Sequence, residues 1–308
     1  MRSADVTRAR NTGHFVRSDL MNAVNAQHVS TSIQTLCLLE ELRAAQRHVG
    51  QQQGASITFL LRNTSVFDQD AKLQSYIKDG KVRLVKGDGT SLEDVQKGWE
   101  AALEHGNGTL DLVLFSIGGL PNLSLTKGIV LATPDLCTRS LLNLFRTIPA
   151  SLRAPSAQPR LVAITSRGIT PTSHTTLPAA LRAFYSLALG APHDDKYGAE
   201  RVLAHCMGVP WTQPAVKPAI LPAGWEALPG LPAEGGFRRV LIVRPSLLTD
   251  GECLGDRGPK KGKAPYKAVA GEVDGGYTVS RRDIAHFIVQ EALPHWDQWE
   301  GKGACVVY

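Results

Sequence analysis

The run Leu110–Gly119, LDLVLFSIGG, constrains the fold most: it is apolar up to Ser116 except at Asp111, and it stops at a glycine pair. A short continuous apolar run bounded by turn residues marks a strand buried on both faces. Glycines at its end let the backbone pass close to another group, which in a parallel sheet is a ligand at the carboxyl ends of the strands. Ser56–Leu61, Val82–Lys86, Leu161–Ser166 and Val240–Pro245 have the same character. Helical patterns separate these runs, and strands alternating with helices form βαβ units. The pattern predicts a doubly wound α/β fold, a parallel sheet with a ligand crevice above Gly118–Gly119.

The punctuation between the runs is specific. Asp68–Asp79 reads as a short helix stopped by Gly80, and Ser91 is placed to cap a helix with Asp94 in its first turn that ends near His105. Thr133 and Pro134 open a helix through Ile148, and helical stretches cover Leu177–Leu189 and Asp194–Cys206. Ser280 caps a helix over Arg281–Leu293, and Ala304–Tyr308 is a last strand. Between Gly208 and Gly236 six prolines exclude regular structure and predict a substrate-side excursion. The N-terminal stretch is weaker. Ile33, Leu36, Leu39, Leu42 and Val49 fall partly at helical spacing, and no buried strand precedes Gly13.

Composition narrows the function classes. With 308 residues, 43% hydrophobic and 20% charged, the chain can bury a full core. No run approaches the roughly 18 apolar residues of a membrane span, and the N-terminus lacks the apolar core of a secretory signal. The five cysteines are scattered and never form a CxxC pair, which points to reduced thiols in the cytoplasm and against a metal site or disulfide frame. The net charge of +6 has two readings. One is a nucleic-acid patch at Lys260, Lys261, Lys263, Arg281 and Arg282; the other is a solvated surface with a few cations facing an anionic cofactor. No aromatic residues interleave with the GPKKGK run, which favours the second and argues against nucleic acid.

From Ser56 to Tyr308 the chain resembles the atypical short-chain dehydrogenase/reductases of the NAD(P)H-binding, NmrA-like kind. The resemblance is carried by FLLRN at 59–63, GDGTS at 87–91, FSIGG at 115–119, ITSRG at 164–168, DKYGAERVL at 195–203, VRPSLLTDG at 243–251 and YTVSRRDIAHFIV at 277–289. It implies a Rossmann-like doubly wound sheet with a small C-terminal substrate lobe. Residues 55–308 would form the NAD(P)-binding domain, with substrate-side insertions at 208–236 and 252–276. Residues 1–54 would be an atypical segment, a degraded first βα unit. Such proteins begin with a strand and a glycine-rich turn; here only Arg10–Phe15, with Gly13, matches the end of that turn. The distance from Gly13 to Arg62 also exceeds the roughly 20 residues usual for this unit. An altered gene model, with a lost first segment and a retained intron between about Met21 and Leu36, is the expectation this raises, and transcript sequencing tests it.

The resemblance assigns cofactor contacts to Gly13, Arg62, Asp88, Ser116, Gly118, Gly119 and Lys196. Arg62 ends the second strand, where an acidic residue would receive the ribose 2′-hydroxyl of NAD; a cation there suits the 2′-phosphate and so NADP over NAD. Asp88 lies near the adenine by resemblance, or is simply a turn-forming aspartate. Ser166 stands where the family places its active-site serine, although a turn-capping serine would look the same. Lys196 matches the family lysine, but Pro192 occupies the place of the acid/base tyrosine four residues earlier. The Ser–Tyr–Lys proton path is therefore broken, and the proline implies a helix starting at or after 192. His193 lies on the same helical face as Lys196 and is the candidate replacement proton donor, or a plain helix-start residue. Tyr197 points elsewhere. Arg244-Pro245 sets the last parallel strand and the roof of the nicotinamide site. The implied function is NADPH-dependent reduction of a small carbonyl or related substrate. The alternatives are a non-catalytic NADP(H) sensor acting on a protein partner, or a product whose altered N-terminus spoils the cofactor site.

Overall fold

The computed structural model describes residues 36–40, 56–119, 121–124, 128–170, 190–259 and 262–308. Its strands are β1 (Leu36–Glu40), β2 (Ser56–Leu61), β3 (Val82–Lys86), β4 (Leu112–Phe115), β5 (Pro121–Ser124), β6 (Gly128–Leu131), β7 (Arg160–Ile164), β8 (Val240–Pro245), β9 (Leu247–Thr249), β10 (Lys267–Ala270), β11 (Thr278–Ser280) and β12 (Gly303–Val307). The α-helices are α1 (Ala71–Lys78), α2 (Leu92–His105), α3 (Leu136–Arg146), α4 (Gly190–Met207), α5 (Arg281–His286) and α6 (Trp296–Trp299). Gly13 and the helix expected over Leu177–Leu189 lie outside the described residues.

The main sheet has eight strands in the order β10-β12-β8-β7-β4-β1-β2-β3. β2 and β3 are parallel, as are β4, β7, β8 and β12 in sequence across the sheet. Strand order reverses between β1 and β4, so this is a Rossmann-like doubly wound sheet, with its switch point beside the glycine pair. The alternation of side chains explains the apolar runs. Ile57, Phe59, Leu61, Leu112 and Leu114 enter the layer holding Leu73 and the Ile284–Ala292 helical segment. Leu60, Val113 and Phe115 enter the opposite layer with α2, α3 and α4. A strand that feeds both layers needs apolar residues on both faces. β12 adds a parallel strand beyond β8, so Arg244-Pro245 does not mark the last one.

β1 overturns one expectation. Leu36–Glu40, at partly helical spacing, is extended instead of helical. It fills the slot between β2 and β4, antiparallel to both, with Leu38 opposite Thr58 and Val113. Without it, the inner edges of β2 and β4 would expose unpaired backbone groups in the middle of the sheet, and that demand outweighs the helical spacing. The direction matters for function. Leu36 pairs with Leu60 and Phe115 at the carboxyl edge, whereas Glu40 pairs with Ser56 at the amino edge. β1 therefore ends at the edge opposite the crevice.

The proline-rich segment 208–236 is docked along α3 and α4. Leu221 and Trp225 are buried in that layer. Lys217 pairs with Asp194 at 2.6 Å, and the Arg146 side chain donates to the Pro229 carbonyl at 3.1 Å. The Arg201 guanidinium lies over both Trp211 and Trp225, 6.0 and 5.1 Å from the ring centroids. The other insertion, 252–276, contributes β10 to the edge of the main sheet, antiparallel to β12.

Ser280 caps α5 as its position predicts: its oxygen accepts from the Asp283 amide at 2.9 Å. Asp283 Oδ2 accepts from the Ser280 and Tyr308 hydroxyls at 2.8 and 2.6 Å, and Oδ1 accepts from the Gly255 amide at 2.8 Å. Burial acts to raise the Asp283 pKa, but these donors together prevail and hold it below the usual carboxylate range. A carboxylate whose pKa falls on folding contributes stability above the unfolded value of about 3.9, and that stability is lost as pH drops through the folded value. Asp283→Asn is accordingly expected to lower the melting temperature at neutral pH, with the gap to the parent closing below about pH 4. A gap independent of pH would show that the carboxylate charge is not what the donors hold.

Candidate functional site

The carboxyl ends of β2, β3, β4 and β7 bring most of the assigned residues to one edge. Arg62 follows β2 and Asp88 follows β3, and their charged groups meet at 3.7 Å, both partly exposed. Asp88 is also a turn former: its Oδ1 accepts from the Thr90 amide and hydroxyl at 2.7 and 2.6 Å. Its own amide donates to Asp94 at 2.9 Å, and Ser91 caps α2 through the Asp94 amide. The turn role of Asp88 is thus present in the geometry, with its second oxygen facing Arg62.

Ser116 is fully buried beneath the turn that follows β4. A Cβ placed on Gly118 would meet nothing within 4 Å, so the backbone there borders open space. The turn is tied to α3, since the Cys137 thiol donates to the Ile117 carbonyl at 3.2 Å. Asp195 then joins α3 to α4. Its carboxylate accepts from the Cys137 and Thr138 amides at 2.8 and 2.9 Å, capping α3 in place of Asp135, whose side chain makes no cap bond. Burial raises the Asp195 pKa against the pull of those amides, and burial together with Asp195 drives the Cys137 thiol well above its ordinary range. The helices approach closely at Gly198, where a Cβ would fall 2.5 Å from the Thr138 hydroxyl.

Lys196 follows Asp195, and its ammonium donates to the Thr165 carbonyl at 2.7 Å. Burial lowers its pKa, opposed by the nearby Cys137, Asp195 and Glu200. Thr165 precedes Ser166, whose hydroxyl makes a 3.2 Å contact to the Arg167 carbonyl. Arg167 is buried and reaches across to the Gly275 and Gly276 carbonyls, both at 2.5 Å, and to the Val273 carbonyl. It clamps that segment beside Ser166. Next to the clamp, Leu247 and Tyr277 are exposed, joined by a 3.1 Å backbone bond.

His193 is half-buried in α4, three residues before Lys196. The described helix already includes Gly190 and Ala191, which corrects the expected start at or after 192. The Tyr197 hydroxyl donates to the Pro214 carbonyl at 2.8 Å, and its ring packs edge-on to Trp211 at 5.1 Å. It cannot stand in for the missing phenol beside Lys196.

Sequence reasoning missed Asp195, Thr165 and Glu200. Glu200 is buried, accepts the Thr165 hydroxyl at 2.7 Å, and holds Arg244 through two 2.8 Å bonds. A carboxylate four residues after Lys196 on one helix face was the available signal. Among the described residues no group of His, Cys, Asp and Glu could hold a metal ion, and no helix is long and apolar enough to cross a membrane.

No family model matches the chain. It is 28% identical over 279 residues to the reductase pytE of Aspergillus terreus, covering 88% of this chain and 92% of that protein. It is 25% identical over 281 residues to the oxidase pynE of Aspergillus niger, covering 83% and 88%. Among solved structures it is similar to a short-chain dehydrogenase/reductase from Serratia marcescens (16% identical, 82% and 86% covered, TM-score 0.46). An NADPH-bound carbonyl reductase from chicken fatty liver is another (12% identical, 74% and 75% covered, TM-score 0.44). The chain is thus similar, along most of its length, to a fungal reductase and a fungal oxidase.

Proposed function

We propose that the chain is an NAD(P)(H)-binding oxidoreductase of the atypical short-chain type, preferring NADP(H), that acts on a small carbonyl or related substrate. The observation that carries this reading is the convergence of Arg62, Gly118, Gly119, Ser166 and Lys196 at the carboxyl edge of the sheet, around its switch point. The residues there fit the nicotinamide and adenosine halves of a dinucleotide: open space borders Gly118, and Arg62 stands at the end of β2 with part of its surface exposed. NADPH, when bound, supplies the hydride. Lys196, steadied by the Thr165 carbonyl, binds ribose hydroxyls. Ser166 donates to the substrate oxygen as negative charge develops on it. His193, one turn from Lys196, delivers the proton. Leu247 and Tyr277 offer the substrate an apolar wall. The reductase and oxidase relatives support redox chemistry.

A charge-assisted contact to phosphate is worth about 1.5–3 kcal/mol, so Arg62→Ala should narrow the NADPH-over-NADH affinity ratio by roughly 10- to 100-fold. Equal affinities in the parent would take Arg62 out of the site. His193→Ala should lower turnover by about 10²- to 10⁴-fold with NADPH affinity nearly unchanged, whereas Lys196→Ala should weaken cofactor binding. The second reading is an NADP(H) sensor without catalysis, favoured by Pro192 in the tyrosine position and by the reversed β1. NADPH binding without turnover on a carbonyl panel would select it.

A further inference from the structure

Behind Ser166 and Lys196 lies a buried chain of charged and polar groups, of which the proposed chemistry uses only the Thr165 carbonyl. Thr165 is its hub. The Thr165 amide donates to the Val243 carbonyl at 2.9 Å, its carbonyl accepts from Lys196, and its hydroxyl donates to Glu200. Glu200 is 2% exposed and binds Arg244 with both oxygens. The Arg244 guanidinium is packed so closely on Gly303 that a Cβ there would collide with it. This pair joins the two motifs DKYGAERVL and VRPSLLTDG, one on α4 and one on β8.

A buried ion pair is a weak way to hold a helix on a strand, since apolar side chains of similar volume do as well or better. What an apolar pair cannot do is accept a directed bond from the Thr165 hydroxyl. We propose that Glu200 and Arg244 are positioning residues that fix Ser166 and Lys196 through Thr165. This rests on the reading of Ser166 and Lys196 as the reacting end of a nicotinamide site. Removing the hydroxyl takes away the side-chain tie of Thr165, whose carbonyl accepts the Lys196 ammonium, while the ion pair keeps its own two bonds. Lys196 is faced by Cys137 and Asp195 as well as Glu200, and those two groups are unchanged by the substitution.

The test compares Thr165→Val, which keeps the shape and loses the hydroxyl, with Thr165→Ser, which restores it. NADPH affinity and the pH profile of Lys196 acetylation by acetic anhydride, read by mass spectrometry, are measured on the full chain. Thr165→Val should weaken NADPH binding about 5- to 10-fold and displace the acetylation profile, and Thr165→Ser should recover both. Parent-like affinity and profile in Thr165→Val would overturn the proposal and leave the network a structural tie. If the parent itself does not bind NADPH, the nicotinamide reading fails. The acetylation profile then decides the positioning claim alone, with no displacement overturning it. Should Thr165→Val not fold, Thr165→Ala takes its place under the same criteria.

Discussion

Glu200→Ala is expected to lower the stability of the folded chain by about 3 kcal/mol, the lower end of the range for breaking a buried ion pair. The cost comes from what is left behind. Arg244 has a side chain only 18% exposed, lies on the Gly303 backbone, and would lose both bidentate acceptors. Burial acts to lower its pKa and Glu200 raises it; with Glu200 gone the guanidinium stays charged because arginine is too basic to give up its proton. Exposed Glu272 also raises the Arg244 pKa and supplies partial relief, which is why the lower end of the range applies. Thermal unfolding should show a fall on the order of 6–12 °C for a domain of this size. The double change Glu200→Ala with Arg244→Met should recover most of it, because a neutral pair leaves no uncompensated charge. A single-variant loss under about 1 kcal/mol would mean that Glu272 replaces Glu200 outright.

Leu38→Pro is expected to be as damaging. β1 is bonded on both sides, with Leu38 opposite Thr58 of β2 and Val113 of β4. Proline removes a donor from a ladder and is confined to edges and bulges in sheets. At the centre of an eight-stranded sheet the loss should match or exceed the roughly 3 kcal/mol of an interior helix position. Among the described residues, β1 alone links β2 and β3 to the rest of the main sheet. Hydrogen exchange at the β2 and β4 amides should therefore accelerate together. A Leu38→Pro chain that melts with the parent would show that Leu36–Glu40 does not hold this slot.

Much of the fold is legible in the sequence because apolar runs, caps and turns agree with one another. VLIVRP and SITFLL are strands with the bounds their composition suggests, and Ser91 and Ser280 cap the helices they precede. LCLLE fails that kind of reading. Its residues match a helical period as well as a strand, and only the two open edges of β2 and β4 decide between them. The site is legible to the extent that function marks strand ends: Arg62, Asp88, Gly118, Gly119 and Ser166 all follow strands. Thr165, Asp195 and Glu200 are not, because their roles arise from groups 31 to 58 residues away in the chain. For Glu200 the spacing from Lys196 was the one available trace; for Thr165 and Asp195 the residue type carries none.

The docking of segment 208–236 bears on assembly. Two adjacent helices ordinarily present an apolar flank on which a second copy of a chain can seat. Here Leu221, Trp225 and the Arg201 stack with Trp211 fill that flank from within. An internal occupant competes at high effective concentration, since the linker has already brought it to the surface. Self-association through α3 and α4 would first have to displace the strap that carries both tryptophans.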